Sequence, residues 1–379
     1  MENYKSRNAT LIFFDSLHFV YYNVRMKIIF YSDVHFSTYS SIFRKRGKNY
    51  SARLESCINS VGWAEDYAER IGADLIVIGG DFFDRSDLSA EELTALKEVY
   101  FSQKINHVVL VGNHEMKTRN RSLTSAHLFQ TLHGVFNVFD SPVVWNGSET
   151  NMSFNCLYLP YINEEERHAF VEYLPKNDLP SVVFSHNDIA GIQLGQFTSK
   201  EGFSLNDIEK YSALFINGHL HNGMFLNKQH TICNVGNLTG KDFGENGFQF
   251  KHQIAVIDTD KLSIELVDNP YAAYFYKLDF HKSITESEIT TACSSLAPIS
   301  CITCKVEIDD VQVVKSVLDN LPSVVDYRLI ATKAQGEQPE IINNVETFAS
   351  IDHIASFKDY VRLEIGKSEL LEKELQELV

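Results

Sequence analysis

The stretch DLIVIGGDFFD, residues 74–84, is a short apolar run that ends in a turn and a carboxylate. Leu75 to Ile78 reads as a buried strand, Gly79 and Gly80 let the chain turn sharply, and Asp81 emerges just past the strand's carboxyl end. Open α/β sheets keep their chemistry at that edge. Comparable presentations recur after other strand-like segments: DVH at 33–35, GNHE at 112–115, SHND at 185–188 and GHLH at 218–221.

Outward from this stretch the chain alternates. Strand 26–31, helix 51–71, strand 74–79, helix 88–103, strand 107–111 and helix 121–133 are expected in turn, and connections of this kind favour parallel pairing. NCLYLPY, SVVFSHN and ALFINGH then read as short strands of a second sheet layer, and the TDK turn before KLSIELVD implies an antiparallel hairpin. Beyond about residue 275, helix 285–294, strand 302–308, helix 309–320 and strand 323–332 make a small α/β module. KAQGEQPE at 333–340 reads as a loop before a helical, acidic tail, where Leu363, Leu370, Leu371, Leu375 and Leu378 form either a docking stripe or one side of a solvated helix. Residues 1–25 fit awkwardly, as an extra edge strand or an extension, because Met26 opens the natural first strand, MKIIFYSDVHF. The expected division is therefore 1–25 extension, 26–275 catalytic domain, 276–335 small module and 336–379 linker and tail.

Size and composition set the outer limits. At 379 residues, 44% hydrophobic and 22% charged, the chain has room for one large domain and a smaller one. A formal net charge of −16 argues against a surface that coats nucleic acid generally, though not against a local basic patch. Six cysteines are too sparse for a secreted disulfide scaffold, and no apolar run reaches the roughly 20 residues of a membrane span, so a cytoplasmic protein is expected.

The strand-end residues carry the chemistry. Asp33 and His35 have one residue between them, so an extended backbone points both to one pocket; His219 and His221 repeat the spacing. With Asp81, Asn113 and His186 they form a set of carboxylate, amide and imidazole donors without a thiolate, suited to manganese, iron or zinc. A bridging carboxylate would hold two cations about 3.5–4 Å apart, close enough to clamp a phosphoryl group and to lower the pKa of water, which points to phosphate ester hydrolysis. Taken singly, each residue has a plainer reading: Asp33 as a loop or capping residue, Asn113 as a turn former, His219 or His221 as a structural histidine. Their joint recurrence at strand ends is what the plain reading fails to explain. Asp84 orients the loop, approaches the metals or caps the next helix. His107, His127 and His133 are read as structural, and so is CITC at 301–304, which alternates as a strand and lacks a second CxxC.

These motifs resemble the calcineurin-like metallophosphoesterases, whose pattern is D-x-H, G-D-x-x-D, G-N-H-D/E, H and G-H-x-H. The resemblance implies a two-sheet α/β sandwich flanked by helices. It implies that Asp33, His35 and His221 bind one metal, that Asn113, His186 and His219 bind a second, and that Asp81 bridges them. His114, with Asp84 beside it, takes the catalytic position next to the phosphate. LPYI at 159–162, FSHNDIAG at 184–191 and NVGNLTG at 234–240 extend the similarity toward nuclease subunits of the SbcCD type and bacteriophage recombination endonucleases. Many cellular nucleases of that kind have histidine where this chain has Asp84, so a DNA-contacting histidine does not carry over to that place.

The resemblance implies two divalent metals, manganese first and magnesium, iron or zinc as alternatives. It also implies DNA as substrate, a DNA-capping role for the small module, an SbcC-like coiled-coil ATPase as partner, and a homodimer within a heterotetramer without a membrane. Two basic groups are candidate DNA contacts: Arg44, Lys45, Arg46 and Lys48 in the loop after the first strand, and Lys117, Arg119 and Arg121 after GNHE. The competing expectations are a small-molecule phosphodiesterase or protein phosphatase on the same core, and a catalytically weak scaffold for an ATPase.

Overall fold

KIIFY, the strand Lys27–Tyr31, lies inside a six-stranded mixed sheet. It pairs in parallel with Leu75–Ile78, which continues in parallel to Asn106–Leu110 and then to Phe136–Phe139. On its other side it meets Gln253–Asp258 antiparallel, and the hairpin to Ser263–Asp268 closes that edge. The computed structural model describes residues 26–38, 49–100, 104–132, 136–150, 152–194, 197–332 and 340–343.

Side chains alternate across a strand, and the apolar runs use both faces. Ile28, Phe30, Leu75, Val77, Val108 and Leu110 meet Tyr158, Val182, Phe184, Leu214 and Ile216 of a second sheet. Ile29, Tyr31, Ile76, Ile78 and Val109 pack instead beside Leu54, Val61, Ala64 and Leu96 of the helices Ala52–Ile71 and Ala90–Val99. Each such side chain removed from water contributes about 1.5–3 kcal/mol, so the loops leaving these strands rest on a stiff base.

The second sheet is also six-stranded, in the order Met224–Phe225, Ile232–Asn234, Leu214–Asn217, Ser181–Ser185, Asn155–Leu159 and Val143–Trp145, with its three central pairings parallel. The expected two-sheet α/β sandwich flanked by helices is what forms. A third sheet holds Tyr274–Asp279, Ser300–Glu307 and Val324–Thr332 in parallel, with Glu340–Asn343 antiparallel at its edge. Helices Glu286–Cys293 and Val311–Asn320 accompany it. Cys301 and Cys304, three apart and so on opposite faces of one strand, are buried in different clusters, as the plain reading of CITC requires.

Two expectations are corrected. Residues 121–133 do not form an α-helix: Asn120–Thr124 pairs antiparallel with Met116–Lys117, and a 3-10 helix, Ser125–Thr131, follows with Thr124 as its cap. Only Ala126 and Phe129 are buried apolar anchors there, too few for an amphipathic helix, whereas Thr124 and Asn120 find partners in Met116 and Lys117 across the hairpin. Asp84 does not cap the next helix either; Ser89 does, in a capping box with Glu92. His107 is structural, fully buried with Nε2 3.0 Å from Glu65 Oε2. Residues 1–25, the basic group Arg44, Lys45, Arg46 and Lys48, His133 and the tail from 344 lie outside the described residues. Among the described residues no helix is long and apolar enough to cross a membrane.

Candidate metal centre

The loops leaving the first two strands are zipped together by backbone hydrogen bonds. Asp33 N–H donates to the Gly80 carbonyl at 3.0 Å, His35 N–H to Asp81 at 3.0 Å and Phe36 N–H to Phe82 at 2.6 Å. Parallel pairing thus continues past the strands and brings Asp33, His35 and Asp81 to one place. The conformation is a strained one: Asp33, His35, Asp81 and His219 have φ of 53°, 47°, 48° and 71°, in the left-handed region. Each such residue costs about 1–3 kcal/mol and persists only where its surroundings over-determine it, a condition typical of functional sites. Gly80 takes φ 94°, and a Cβ there would lie 2.5 Å from His186 Nδ1. The second glycine of GGD is thus demanded by both backbone and imidazole.

Three groups of ligand-type atoms, each within 4.8 Å of one another, form a continuous cluster: Asp33, His35 and His221; His35, Asp81 and His114; Asp81, His186 and His219. His35 Nε2 and His221 Nε2 are 3.1 Å apart, a contact two neutral unprotonated nitrogens would avoid unless a cation or proton lay between them. His186 Nε2 lies 3.2 Å from Asp81 Oδ2 and 3.4 Å from Asn113 Oδ1. All seven residues expected from the motifs are therefore assembled, with Asp81 shared by two groups. Asp33 supplies a test of fit. Its Oδ2 accepts from Ser32 Oγ at 2.5 Å and from the His219 N–H at 2.8 Å, while Oδ1 of this fully buried carboxylate has no hydrogen-bond partner. A buried carboxylate oxygen without a donor is costly, and a cation beside His35 and His221 satisfies it. The donor set, with oxygens and imidazoles and no thiolate, fits hard or borderline divalent metals.

The sequence profile of the family described as "Calcineurin-like phosphoesterase" matches residues 26–223, more than half of the chain. This chain belongs to that family. It is also 28% identical over 187 residues to the "Putative phosphoesterase 078R" of Invertebrate iridescent virus 3, an alignment covering 47% of this chain and 51% of the viral protein. The chain thus spans about half the length of that curated relative. A crystal structure of TT1561 of Thermus thermophilus aligns over 65% of this chain and 99% of that one, at 13% identity and a TM-score of 0.36.

In this calcineurin-like phosphoesterase every one of the four clustered motif histidines at positions 35, 186, 219 and 221 has its other ring nitrogen engaged. His186 Nδ1 donates to the Gly79 carbonyl at 2.7 Å. His219 Nε2 faces Asp188 Oδ1, His221 Nδ1 faces Glu245 Oε1 and His35 Nδ1 faces Asp84 Oδ1, each at 3.1 Å. For His186, His219 and His221 these carbonyl and carboxylate partners accept a ring N–H and fix the tautomer, leaving the inner nitrogen to bind a metal; His35 Nδ1 is shared between Asp84 Oδ1 and Lys241 Nζ, the latter at 3.2 Å. Burial pushes the His35 imidazole down to about 4. Burial also opposes charge on His186, but the Asp81 and Asp33 carboxylates outweigh it and raise that imidazole to about 9. Asp81, despite its burial, is held well below the usual carboxylate range, chiefly by His186. A divalent cation between Asp81 and His186 would require the His186 Nε2 to be unprotonated.

Other residues surround this centre. Glu115, the last letter of GNHE, is buried and accepts the N–H groups of Phe82, Phe83 and Gly112, bracing the Asp81 turn; burial raises its carboxyl to about 8. His114 Nδ1 donates to the Asp84 carbonyl at 3.2 Å, and the imidazole is half-exposed. Of the second basic group, Lys117 Nζ lies 3.5 Å from Asp87, and Arg121 is paired with Glu166 at 2.9 Å and donates to the Tyr161 carbonyl. Arg119 lines an open cavity of about 420 Å³ with Asn120, Arg121, Ser122, Asp140 and Glu166. The motif reading did not single out Asp188, Glu245 and Lys241. Asp188 carried a signal, standing two residues after His186 in SHND; Glu245 and Lys241 carried none, because the loop that delivers them meets the histidines only in the folded chain.

Proposed function

We propose that the protein is a two-metal phosphodiesterase that cuts DNA, as the nuclease subunit of an SbcCD-like recombination or repair complex. The observation that carries the reading is the position of Asp81 between two ligand groups, with the half-exposed His114 at their shared side. In this reading Asp33, His35 and His221 hold one metal, Asn113, His186 and His219 hold the other, and Asp81 touches both. When bound, the two cations, manganese first and magnesium, iron or zinc as alternatives, supply Lewis acidity that neutralises phosphoryl oxygens and lowers the pKa of water. Because His114 Nδ1 already donates to the Asp84 carbonyl, a proton on Nε2 is the one available to the leaving oxygen. Asp33 and Asp81, buried and stripped of water, meet the cations with little reorganisation.

DNA is favoured by the position of Lys117 and Arg119 on the hairpin directly after GNHE, together with the basic sequence at residues 44–48. The sheet and helices of residues 274–332 are proposed as the DNA-capping module, and the C-terminal tail as the ATPase attachment within a heterotetramer. One observation favours a second reading, a small-molecule phosphodiesterase or protein phosphatase: Lys117 and Arg121 are already paired with Asp87 and Glu166. The test is cleavage of linear, hairpin and single-stranded DNA against simple phosphodiesters in manganese, with and without the ATPase. Efficient hydrolysis of small esters with no DNA cleavage by the complex rejects the nuclease reading in favour of the second.

A further inference from the structure

Asp84 and Lys241 form a pair outside the ligand clusters, and Asp84 Oδ1 also lies 3.8 Å from His114 Nδ1. Asp84 Oδ1 lies 3.1 Å from His35 Nδ1 and 3.0 Å from Lys241 Nζ, and Lys241 Nζ is itself 3.2 Å from His35 Nδ1. Asp84 is absent from all three ligand clusters, while His35 belongs to two of them. Burial works against charge on Asp84, yet His35 and Lys241 hold its carboxyl well below the usual range. Its charged oxygen is turned toward the back of an imidazole whose other nitrogen faces His221 at 3.1 Å.

We infer that Asp84 is a positioning residue for the His35 side of the metal centre, oriented by Lys241, and is not the acid that protonates the leaving group. The inference rests on the two-metal reading above. Its physical basis is the carboxylate–histidine–metal arrangement: an outer carboxylate fixes the tautomer and ring orientation and raises the basicity of the inner nitrogen. Lys241 reaches the pair from a loop fastened at the residue before it, Gly240. Gly240 N–H donates to the Ala273 carbonyl at 3.0 Å, and the Gly240 carbonyl accepts from the buried Arg53 guanidinium at 2.6 Å. Four residues after Lys241, Glu245 accepts the Lys241 backbone N–H and faces His221 Nδ1. One loop therefore reaches both histidines of the Asp33 cluster, His221 through Glu245 and His35 through Lys241, which touches it directly and also holds Asp84 beside it.

The test is Mn2+ binding to the full chain, followed by calorimetric titration and by electron paramagnetic resonance, which separates a spin-coupled pair from an isolated ion. The variants are Asp84→Ala, Asp84→Asn, Lys241→Met and the Asp84→Ala/Lys241→Met double variant. The expected result is two Mn2+ per wild-type chain and, in Asp84→Ala, one of the two weakened by about 10–100-fold, the coupled signal giving way to that of an isolated ion. Asp84→Asn, which keeps an acceptor of the same shape, recovers part of the loss. Lys241→Met changes the same ion's affinity in the presence of Asp84 and adds nothing once Asp84 is Ala. Unchanged affinity for both ions in Asp84→Ala and Asp84→Asn, with turnover lost at every Mn2+ concentration, overturns the positioning role and leaves the two-metal reading standing. A wild-type chain that binds no Mn2+ overturns both.

Discussion

Gly112 lies so close to Asp81 that a Cβ built on it would stand 2.1 Å from the Asp81 carboxylate oxygen Oδ1 and 2.2 Å from the Asp81 backbone nitrogen. The first glycine of GNHE is therefore required by a residue 31 positions earlier, the carboxylate that two of the three ligand groups share. Gly112→Ala must push Asp81 aside. Displacing a reacting group by about 1 Å costs on the order of 10²-fold in rate, so turnover is expected to fall by at least that much. Calorimetry with Mn2+ checks the cause: both equivalents weaken together, in contrast to the single-site loss expected of Asp84→Ala.

His114→Ala is expected to leave both Mn2+ equivalents bound while slowing DNA cleavage by about 10²–10⁴-fold, the usual contribution of a general acid. The leaving group provides the control. A p-nitrophenolate needs no proton to depart, so the same variant should lose much less activity on bis(p-nitrophenyl) phosphate than on DNA. Equal losses on both would place His114 in metal or phosphate binding instead.

Removing the metals should loosen the fold. Asp33 carries a buried oxygen without a donor, and Asp33, His35, Asp81 and His219 hold left-handed backbone, local costs that bound cations would offset. Ligand binding to the native state alone stabilises by about 2.7 kcal/mol at a hundred times Kd. Mn2+ should therefore raise the Tm of the full chain, and a chelator should lower it again. A Tm indifferent to both would contradict the centre as drawn.

The strand-end ligands were legible because each motif falls where a short apolar run stops, and the continuous apolar runs LIVI and KIIFY, buried on both faces, leave little choice of fold. The outer partners were harder to find. Glu245 reaches His221 across 24 residues and Lys241 reaches His35 across 206, and no local periodicity encodes either contact. The expected helix at 121–133 failed because RSLT pairs with Met116–Lys117, a tertiary choice that overrode local pattern.

Glu65 tests the core beneath the centre. Its carboxylate accepts from the Tyr31 hydroxyl at 2.7 Å and meets His107 Nε2 at 3.0 Å, and Tyr31 touches the Tyr100 hydroxyl at 2.7 Å, with all four side chains buried. Tyr31 ends the strand that leads to Asp33. Glu65→Ala leaves a buried imidazole and a phenol without their acceptor and is expected to cost about 3–5 kcal/mol, read as a lowered midpoint in urea denaturation. Glu65→Gln, which keeps an acceptor, should cost less.

Phe243 ties the Lys241–Glu245 loop to the small C-terminal sheet. It is buried against Phe275 and Cys301, its ring edge-on to Phe275 at 5.2 Å, and Gly247 N–H donates to the Phe275 carbonyl at 2.8 Å. Truncating a buried phenylalanine costs about 3–5 kcal/mol, and here the loosened segment is the one that carries Lys241 and Glu245 to the Asp33 cluster. Phe243→Ala should therefore weaken the Mn2+ held by His35 and His221 more than the one held by His186 and His219, in a chain still folded by circular dichroism. Equal weakening of both ions, or of neither, would separate the small sheet from the metal centre; selective weakening makes the sheet's seating on this loop part of what sets the first metal's affinity.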